Sequence, residues 1–289
     1  MVMVEFEVPE VDYTKYSNRQ LAAVPLAVLA LALVVLIGAW AATGSPVALG
    51  IDFTGGSQMT VQTDMPSSDI QTNFTPEPES VQGLVLEDNA YRLTFGSGAN
   101  ITELKGQATS SGMNVTSSGS TPASFGADSM RVALFGIAIA FLGMSVLAFA
   151  LFRTFVPSIA IVISAFSDLV IPLAVLSLFQ VKLSLGTVAG LLMLIGYSVD
   201  SDILLNNHIL RRRGEFYEST YAAMQTGVTM TLTSIVAMAV MAIMATLFGI
   251  QIMAQIGIVL VLGLSVDLMN TYMLNLSLLR WYKFHGVNR

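Results

Sequence analysis

The sequence predicts an α-helical polytopic membrane protein with six transmembrane helices and one α+β domain inserted between helices 1 and 2. Of its 289 residues, 54% are hydrophobic and only 11% are charged, whereas soluble domains carry about 25% charged residues. Six apolar stretches are each long enough to cross a bilayer, which takes about 20 residues. One long polar segment separates the first stretch from the second. These observations exclude an ordinary soluble enzyme.

The six predicted helices follow the apolar stretches. They cover residues 21–42, 131–152, 155–179, 183–209, 226–250 and 252–279. The first could instead be a cleavable signal peptide, because Ala39-Trp40-Ala41 resembles a cleavage site. Its apolar run of about 22 residues is too long for a signal peptide and the chain before it is acidic, so we interpret it as a retained anchor. Residues 1–20 and 280–289 are then terminal segments, and residues 131–279 hold helices 2 to 6.

Lys and Arg residues in the connections predict the orientation, because positive charges favour the cytoplasmic side of a membrane. With both termini in the cytoplasm, nine of the 13 Lys and Arg residues lie on that side. The run Arg211-Arg212-Arg213 is the strongest single indication. The prediction is a multi-pass protein of the cell membrane whose residues 44–129 are extracytoplasmic.

The segment 44–129 carries nine acidic and two basic residues. Its pattern predicts strands at residues 50–63, 80–87, 91–95 and 113–117, and helices at residues 67–74 and 101–111. The βαββαβ order is typical of a small ferredoxin-like α+β domain. The segment also contains N-x-[ST] sequons at Asn73, Asn100 and Asn114, which are expected by chance in so Ser- and Thr-rich a stretch.

Composition excludes several kinds of site. The chain has no cysteine, which rules out disulfides, thiolate metal sites and a Cys nucleophile. A net charge of −6 argues against a nucleic-acid partner. We therefore predict no enzymatic activity, no cofactor and no metal site.

Four acidic residues fall inside the predicted membrane helices: Asp168, Asp200, Asp202 and Asp267. Acidic side chains in a bilayer are costly and are candidates for functional sites. No Lys or Arg lies at a comparable depth in the sequence. Such acids can carry protons, bind a cation or donate a hydrogen bond to a neighbouring helix, and the sequence leaves these roles open.

Helical geometry sorts the polar residues of the last three helices into faces. At 100° per residue, Asp200 and Asp202 lie almost opposite one another on the fourth helix. Polar residues of a membrane helix serve either packing between helices or an ion path. On the fourth helix, one face carries Tyr197, Asp200 and Asn207 and the opposite face carries Ser198, Asp202 and Asn206. One face of the sixth helix carries Gly263, Asp267, Asn270 and Thr271, and one face of the fifth carries Thr226, Thr229 and Thr233.

Two short motifs carry a family resemblance. Gly50-Ile51-Asp52-Phe53-Thr54-Gly55-Gly56-Ser57 follows the first helix, and Gly196-Tyr197-Ser198-Val199-Asp200-Ser201-Asp202 lies in the fourth. They resemble the G-(I/L)-D-F-x-G-G and G-Y-S-(hydrophobic)-(N/D) signatures of the SecD/SecF family, in particular its SecF members. Archaeal-type members have a similar Asp-x-Asp-Ile-Leu run. Six helices with a large loop after the first also match this family.

The first motif has a physical interpretation of its own. Gly55 and Gly56 permit a tight turn or a close backbone approach where the chain leaves the membrane. A phosphate-binding loop is the alternative, but no Lys-Ser/Thr pair follows it and no helix is predicted to begin there. We predict a structural role.

The resemblance implies an accessory subunit of the Sec protein-export machinery. It would act with SecD, beside the SecYEG channel, on exported polypeptides, and the two subunits resemble halves of a twelve-helix RND-type assembly. Bacterial relatives move protons through an Asp in the fourth helix, aided by an Arg in the fifth. This chain has Ser201 and Thr226 at those positions, so Asp200 is the first expected substitute and Asp202 the second.

Three alternatives to this function remain open from the residues alone. Asp200 and Asp267 at equal depth could form an intramembrane aspartyl protease site, although Ser265 replaces the second glycine of the G-x-G-D pattern. A self-contained RND-type transporter of small molecules or lipids would work without a partner. A membrane scaffold would only bind proteins and would not need the acidic side chains.

Overall fold

A computed structural model describes residues 12–85, 89–211 and 215–286. Its elements, in chain order, are α1 (Asn18–Thr43), α2 (Ile51–Thr54), β1 (Gly56–Gln62), α3 (Ser67–Thr72), β2 (Ser80–Gly83), β3 (Ala90–Phe95), α4 (Ile101–Ser110), β4 (Asn114–Thr121), α5 (Ala123–Phe152), α6 (Phe155–Leu178), α7 (Leu185–Arg211), α8 (Phe216–Leu247) and α9 (Gln251–Met269). A π-helical segment, Asn270–Asn275, and α10 (Leu276–Trp281) continue α9.

Within the described residues, six helices are long and apolar enough to cross a membrane, which confirms the predicted architecture. They are α1, α5, α6, α7, α8 and the helix that α9 begins. Hydropathy predicts that α5 and α8 begin several residues later than they do. Their first turns contain polar residues that lower the hydropathy, although these turns are helical. Of the arginines that indicate orientation, Arg212, Arg213 and Arg289 lie outside the described residues.

The helices form a central group and a periphery. Of the 18 most apolar consecutive residues in α6 and in α7, 67% and 56% are buried, compared with 17% in α1, α5 and α8. The central core joins α6, α7 and α9 through residues such as Ile161, Leu194 and Leu260. Gly263 lets α9 approach α7, because a Cβ atom there would overlap the Leu194 side chain.

The inter-helix domain (residues 51–121) contains one antiparallel sheet in the order β2-β3-β1-β4. The predicted βαββαβ order is confirmed. Alternate strand residues such as Met59, Val61 and Leu93 point into a core shared with Ile70 of α3 and Leu104 of α4. One face of the sheet is thereby covered by helices, as in the ferredoxin-like arrangement.

Three predicted strands differ from the structure. The strand predicted at residues 50–63 begins only at Gly56, because residues 51–54 form the short helix α2. The strand predicted at residues 80–87 ends at Gly83, and residues 86–88 lie outside the described part of the chain. The strand predicted at residues 113–117 runs from Asn114 to Thr121 as β4. Alternation of apolar residues does not distinguish a single helical turn from an extended segment, which explains the first difference.

Candidate functional site

Three of the four intramembrane acids lie together in the core of the helix group. Asp168 comes from α6, Asp202 from α7 and Asp267 from α9, and each is at most 1% exposed. We call these three side chains the carboxylate cluster. Thr271 is shared by Asp202 and Asp267, whereas Asp168 has its own Ser and Asn donors, as the hydrogen bonds below show.

Asp202 is held by two residues of the last membrane helix. Its Oδ1 accepts hydrogen bonds from Thr271 Oγ1 at 2.9 Å and from Asn275 Nδ2 at 2.7 Å. Ser164 of α6 also lies beside this carboxylate. The two donors come from one helix, so a shift of that helix relative to α7 would change the surroundings of Asp202 directly.

Asp267 is linked to Asp202 through hydroxyl groups. Ser201 Oγ lies 2.9 Å from both carboxylate oxygens of Asp267 and 2.9 Å from the Ser198 carbonyl. Thr271 Oγ1 lies 3.3 Å from Asp267 Oδ1 while it also contacts Asp202. A hydroxyl has one proton to donate. Each of these hydroxyls can therefore exchange its donor bond between acceptors, which is what a proton relay requires.

Asp168 has its own pair of donors. Ser198 Oγ donates to Asp168 Oδ2 at 2.6 Å, and Asn270 Nδ2 donates to Asp168 Oδ1 at 2.6 Å. Pro172 lies one turn further along α6 and has no N–H to bond the Asp168 carbonyl. The helix is thus locally loosened next to the acid, and Asn270 connects it to the last helix.

The last membrane helix changes its geometry where it meets the cluster. Residues Asn270–Asn275 form a π-helical turn between two α-helical parts. Such turns are rare and occur frequently at functional sites. The turn supplies Asn270, Thr271 and Asn275, and all three are fully buried. No role for Asn275 is predicted from the sequence, where its only signal is an Asn between Leu274 and Leu276.

Several polar atoms near the cluster have no partner among the residues that the structure describes. They include both side-chain atoms of Asn206, the Oδ1 atoms of Asn270 and Asn275, Asp202 Oδ2 and Ser164 Oγ. Asn206 lies one turn beyond Asp202 on the same side of α7. Buried polar atoms are normally satisfied, so unpaired ones call for an explanation such as water or an ion.

The cluster has no basic counterpart in the described ranges. The ion pairs found there join Lys15 to Asp12 and Lys182 to Glu79, both away from the cluster. An ion buried without compensation costs several kcal/mol. The cluster must therefore hold counter-charge as protons or cations. Within residues 12–85, 89–211 and 215–286, no three acidic or His side chains converge as a metal-chelating group.

Asp200 lies apart from the carboxylate cluster. α7 is unbroken from Leu185 to Arg211, so Asp200 and Asp202 point to opposite sides, and Asp200 is exposed. Asn207 is exposed on the same side, and Tyr197 is half-buried beside it. The pairing of Asp200 with Asp267 required by a protease site is therefore wrong, because Asp267 faces Ser201 and Thr271 inside the bundle.

The threonines of α8 are exposed as well. Among the described residues, Thr226, Thr229 and Thr233 each donate to a backbone carbonyl of their own helix and to no other group. α7 and α8 pack against each other. Counted along each helix at 1.5 Å per residue, Asp200 and Thr226 both lie about 16 Å from the connection between α7 and α8, so they lie at a similar depth. All five polar side chains of this set are exposed, and we call Asp200, Asn207, Thr226, Thr229 and Thr233 together the outward face.

The first motif lies where the inter-helix domain meets the membrane helices. Gly50 precedes α2, Asp52 and Phe53 lie in it, and Gly55 and Gly56 end it with positive φ angles of 76° and 151°. Phe53 is buried. A Cβ atom on Gly55 would lie 2.6 Å from Ala123 Cα. Gly196, from the second motif, is exposed on α7 with open space around it.

Comparison with known proteins places this architecture in a family. Residues 102–285 match the family described as "Protein export membrane protein SecD/SecF, C-terminal", and residues 40–67 match the "SecD/SecF GG Motif". The second match contains the Gly50–Gly56 segment described above. The two matches together span most of the chain.

Relatives and a solved structure agree with this match. The chain is 65% identical to a protein-export membrane protein SecF of Haloferax volcanii, over 99% of this chain and 100% of the relative. It is 60% identical to that of Haloquadratum walsbyi, with the same coverage. SecDF from Thermus thermophilus, a translocon-associated membrane protein, shares the fold with a TM-score of 0.74 at 18% identity, over 99% of this chain and 40% of that protein. The chain therefore belongs to the SecD/SecF family of protein-export membrane proteins, as one of its archaeal-type SecF members.

Proposed function

We propose that the chain is an accessory subunit of protein export that pairs with SecD and assists the SecYEG channel, driven by an ion that passes through the carboxylate cluster. Family membership supports the export role. The match to 40% of a SecDF protein supports a partner half of similar kind, since this chain corresponds to less than half of that molecule. The exported polypeptide and the membrane lipids are the other expected partners.

The observation that carries this proposal is the carboxylate cluster itself. Three buried carboxyl groups without a basic partner must exchange protons or cations to change charge state. Their hydrogen-bond donors come from α7 and from the last helix, so each charge state favours a different helix arrangement. Ion binding can therefore do mechanical work by shifting the balance between two packings.

The outward face supports the partner. An acidic side chain such as Asp200 is costly against lipid and is normally found facing a protein or an aqueous cavity. Small and hydroxylated residues such as Thr226 and Thr229 favour close helix packing. A second six-helix subunit placed against α7 and α8 would cover both, in the manner of transporters built from two related halves.

Export should depend on an ion gradient. In cells whose own copy is replaced by this chain, we expect collapse of the proton or sodium gradient by an ionophore to remove the stimulation of export, leaving the rate of the deletion strain. The measurement is the secretion rate of a reporter protein. Undiminished stimulation after both gradients are collapsed would contradict the proposal and favour a scaffold.

The orientation can be tested with single cysteines, because the natural chain has none. Ser110 in α4 and His285 near the C-terminus are both exposed. We expect a membrane-impermeant maleimide to label Ser110→Cys in intact cells and His285→Cys only after the cells are permeabilised. Labelling of His285→Cys from outside would reverse the proposed topology.

A further inference from the structure

The Gly50–Gly56 motif joins the inter-helix domain to the start of α7. The Gly50 N–H donates to the Leu183 carbonyl at 2.7 Å, and the Leu183 N–H donates to the Ala48 carbonyl at 2.7 Å. A Cβ atom on residue 50 would lie 2.8 Å from the Leu183 oxygen. Glycine is therefore required here for a close approach of two backbones.

Asp52 caps the N-terminus of α7 from outside the helix. Ser184 and Thr187 satisfy each other's backbone N–H groups through their hydroxyls, at 2.6 and 3.2 Å. The N–H of Leu185, the first residue of α7, donates to Asp52 Oδ2 at 3.0 Å. A carboxylate is favoured at this end of a helix because the helix dipole is positive there. The cap of α7 is thus supplied by the domain.

Phe53 adds an apolar contact beside this cap. Its buried side chain packs in one cluster with Val188 of α7 and Ala133 of α5. A Cβ atom on Gly126 of α5 would lie 2.8 Å from the Phe53 backbone. Two consecutive residues of α2 therefore hold the domain against both α5 and α7, one by a charged hydrogen bond and one by packing.

α7 connects this joint to the carboxylate cluster without interruption. Asp202 lies 17 residues after Leu185 in the same helix, a distance of about 25 Å at 1.5 Å per residue. Across a cavity that Asp52 also lines, Arg92 Nη2 donates to the Gly249 carbonyl at 2.8 Å, and Gln58 contacts Gln251 at 3.4 Å. The domain thus rests on the α8–α9 connection while it holds the end of α7.

We propose that Asp52 is a positioning residue that transmits movement between the carboxylate cluster and the inter-helix domain by holding the N-terminus of α7. This inference rests on the proposed function, because it assumes that the cluster shifts α7. Movement of α7 would then reach the domain through the Asp52–Leu185 hydrogen bond and the Phe53 contact. Without the cap, the Phe53 packing, the Gly50–Leu183 backbone bond and the Lys182–Glu79 ion pair would still join the domain to α7, but the first turn of α7 would lose its side-chain link to the domain and transmit its movement less fully.

The test reads the position of the domain while an ion gradient is applied. Gln58→Cys and Gln251→Cys introduce the only two cysteines of the chain, and a short bifunctional thiol reagent joins them in membrane vesicles that contain the full chain and SecD. We expect an imposed gradient to change the cross-linking yield about twofold or more. In the Asp52→Ala background we expect a yield that responds much less, together with reduced stimulation of export, because the Phe53 packing and the Gly50–Leu183 backbone bond remain.

Two further variants separate positioning from simple loss of structure. Asp52→Asn keeps an oxygen that can accept the Leu185 N–H, and it should restore most of the response. Asp69→Ala removes an exposed acid of α3 that contacts Ser68, and it should behave as wild type. Protein level and thermal stability of each variant are measured in parallel.

The outcomes separate this inference from the proposed function. If Asp202→Asn suppresses the response while Asp52→Ala responds like wild type, Asp52 does not couple the two parts and the inference is overturned. A wild-type yield that ignores the gradient also overturns it. If Asp202→Asn exports normally and responds like wild type, the proposed function itself fails.

Discussion

Replacing Asp202 with Asn should abolish the gradient-dependent part of export. The amide keeps the size of the side chain and can still accept from Thr271 and Asn275, but it can neither take up a proton nor balance a cation. We expect the gradient-stimulated export rate to fall by about tenfold or more, which corresponds to about 1.4 kcal/mol. Because the change is isosteric, the protein should still fold and associate with its partner.

Asp200→Asn is the matched control for this experiment. It makes the same chemical change two residues away on the same helix, but on the exposed side rather than in the cluster. We expect a smaller loss than for Asp202→Asn, measured as the rate of reporter secretion with and without the gradient. The reverse order would show that the ion path follows the outward face and not the buried cluster.

This expected order differs from the one that the sequence suggests, for a physical reason. The family resemblance ranks Asp200 first, because aligning Tyr197 and Ser198 with the family motif puts Asp200 at its N/D position and Ser201 where an Asp is expected. Helical periodicity correctly separates the sides of Asp200 and Asp202, because α7 is regular throughout. Periodicity within one helix does not reveal which side faces the rest of the bundle, since that depends on how α6 and α9 pack against it.

The six membrane helices are predictable because their signal is long and strong. About 20 apolar residues in a row have few other interpretations, and all six are present. The π-helical turn at Asn270–Asn275 is not predictable, because it is stabilised by tertiary contacts such as that of Asn275 with Asp202. The helix α2 is similarly missed, since four residues are too few for any periodic pattern.

The same limit applies to the GG motif. Its glycines indicate a turn or a close approach, and the structure provides both at Gly50 and Gly55. The role of Asp52 depends on Leu185, which is 133 positions away in sequence. A contact of that separation leaves no local pattern, so only the folded arrangement shows that the motif caps a helix.

Introducing a bulky residue on the outward face should disrupt association with SecD. Thr229 is exposed on α8, and in the described part of the chain its hydroxyl donates to the Gln225 carbonyl of its own helix and to no other group. Thr229→Trp therefore leaves the fold of this chain intact while it prevents a second helix from packing closely. We expect the amount of SecD that co-purifies with the chain to fall by about tenfold, or about 1.4 kcal/mol of association free energy.

Ile139→Trp on α5 provides the comparison, because Ile139 is 66% exposed on a peripheral membrane helix and is apolar, as a lipid-facing residue should be. The two variants add the same side chain at exposed positions and differ only in which face they occupy. Ile139→Trp should leave co-purification unchanged. Equal recovery of SecD with both variants would mean that the threonines of α8 face lipid, and the exposed Asp200 would then need a different source of compensation, such as water entering from the membrane surface.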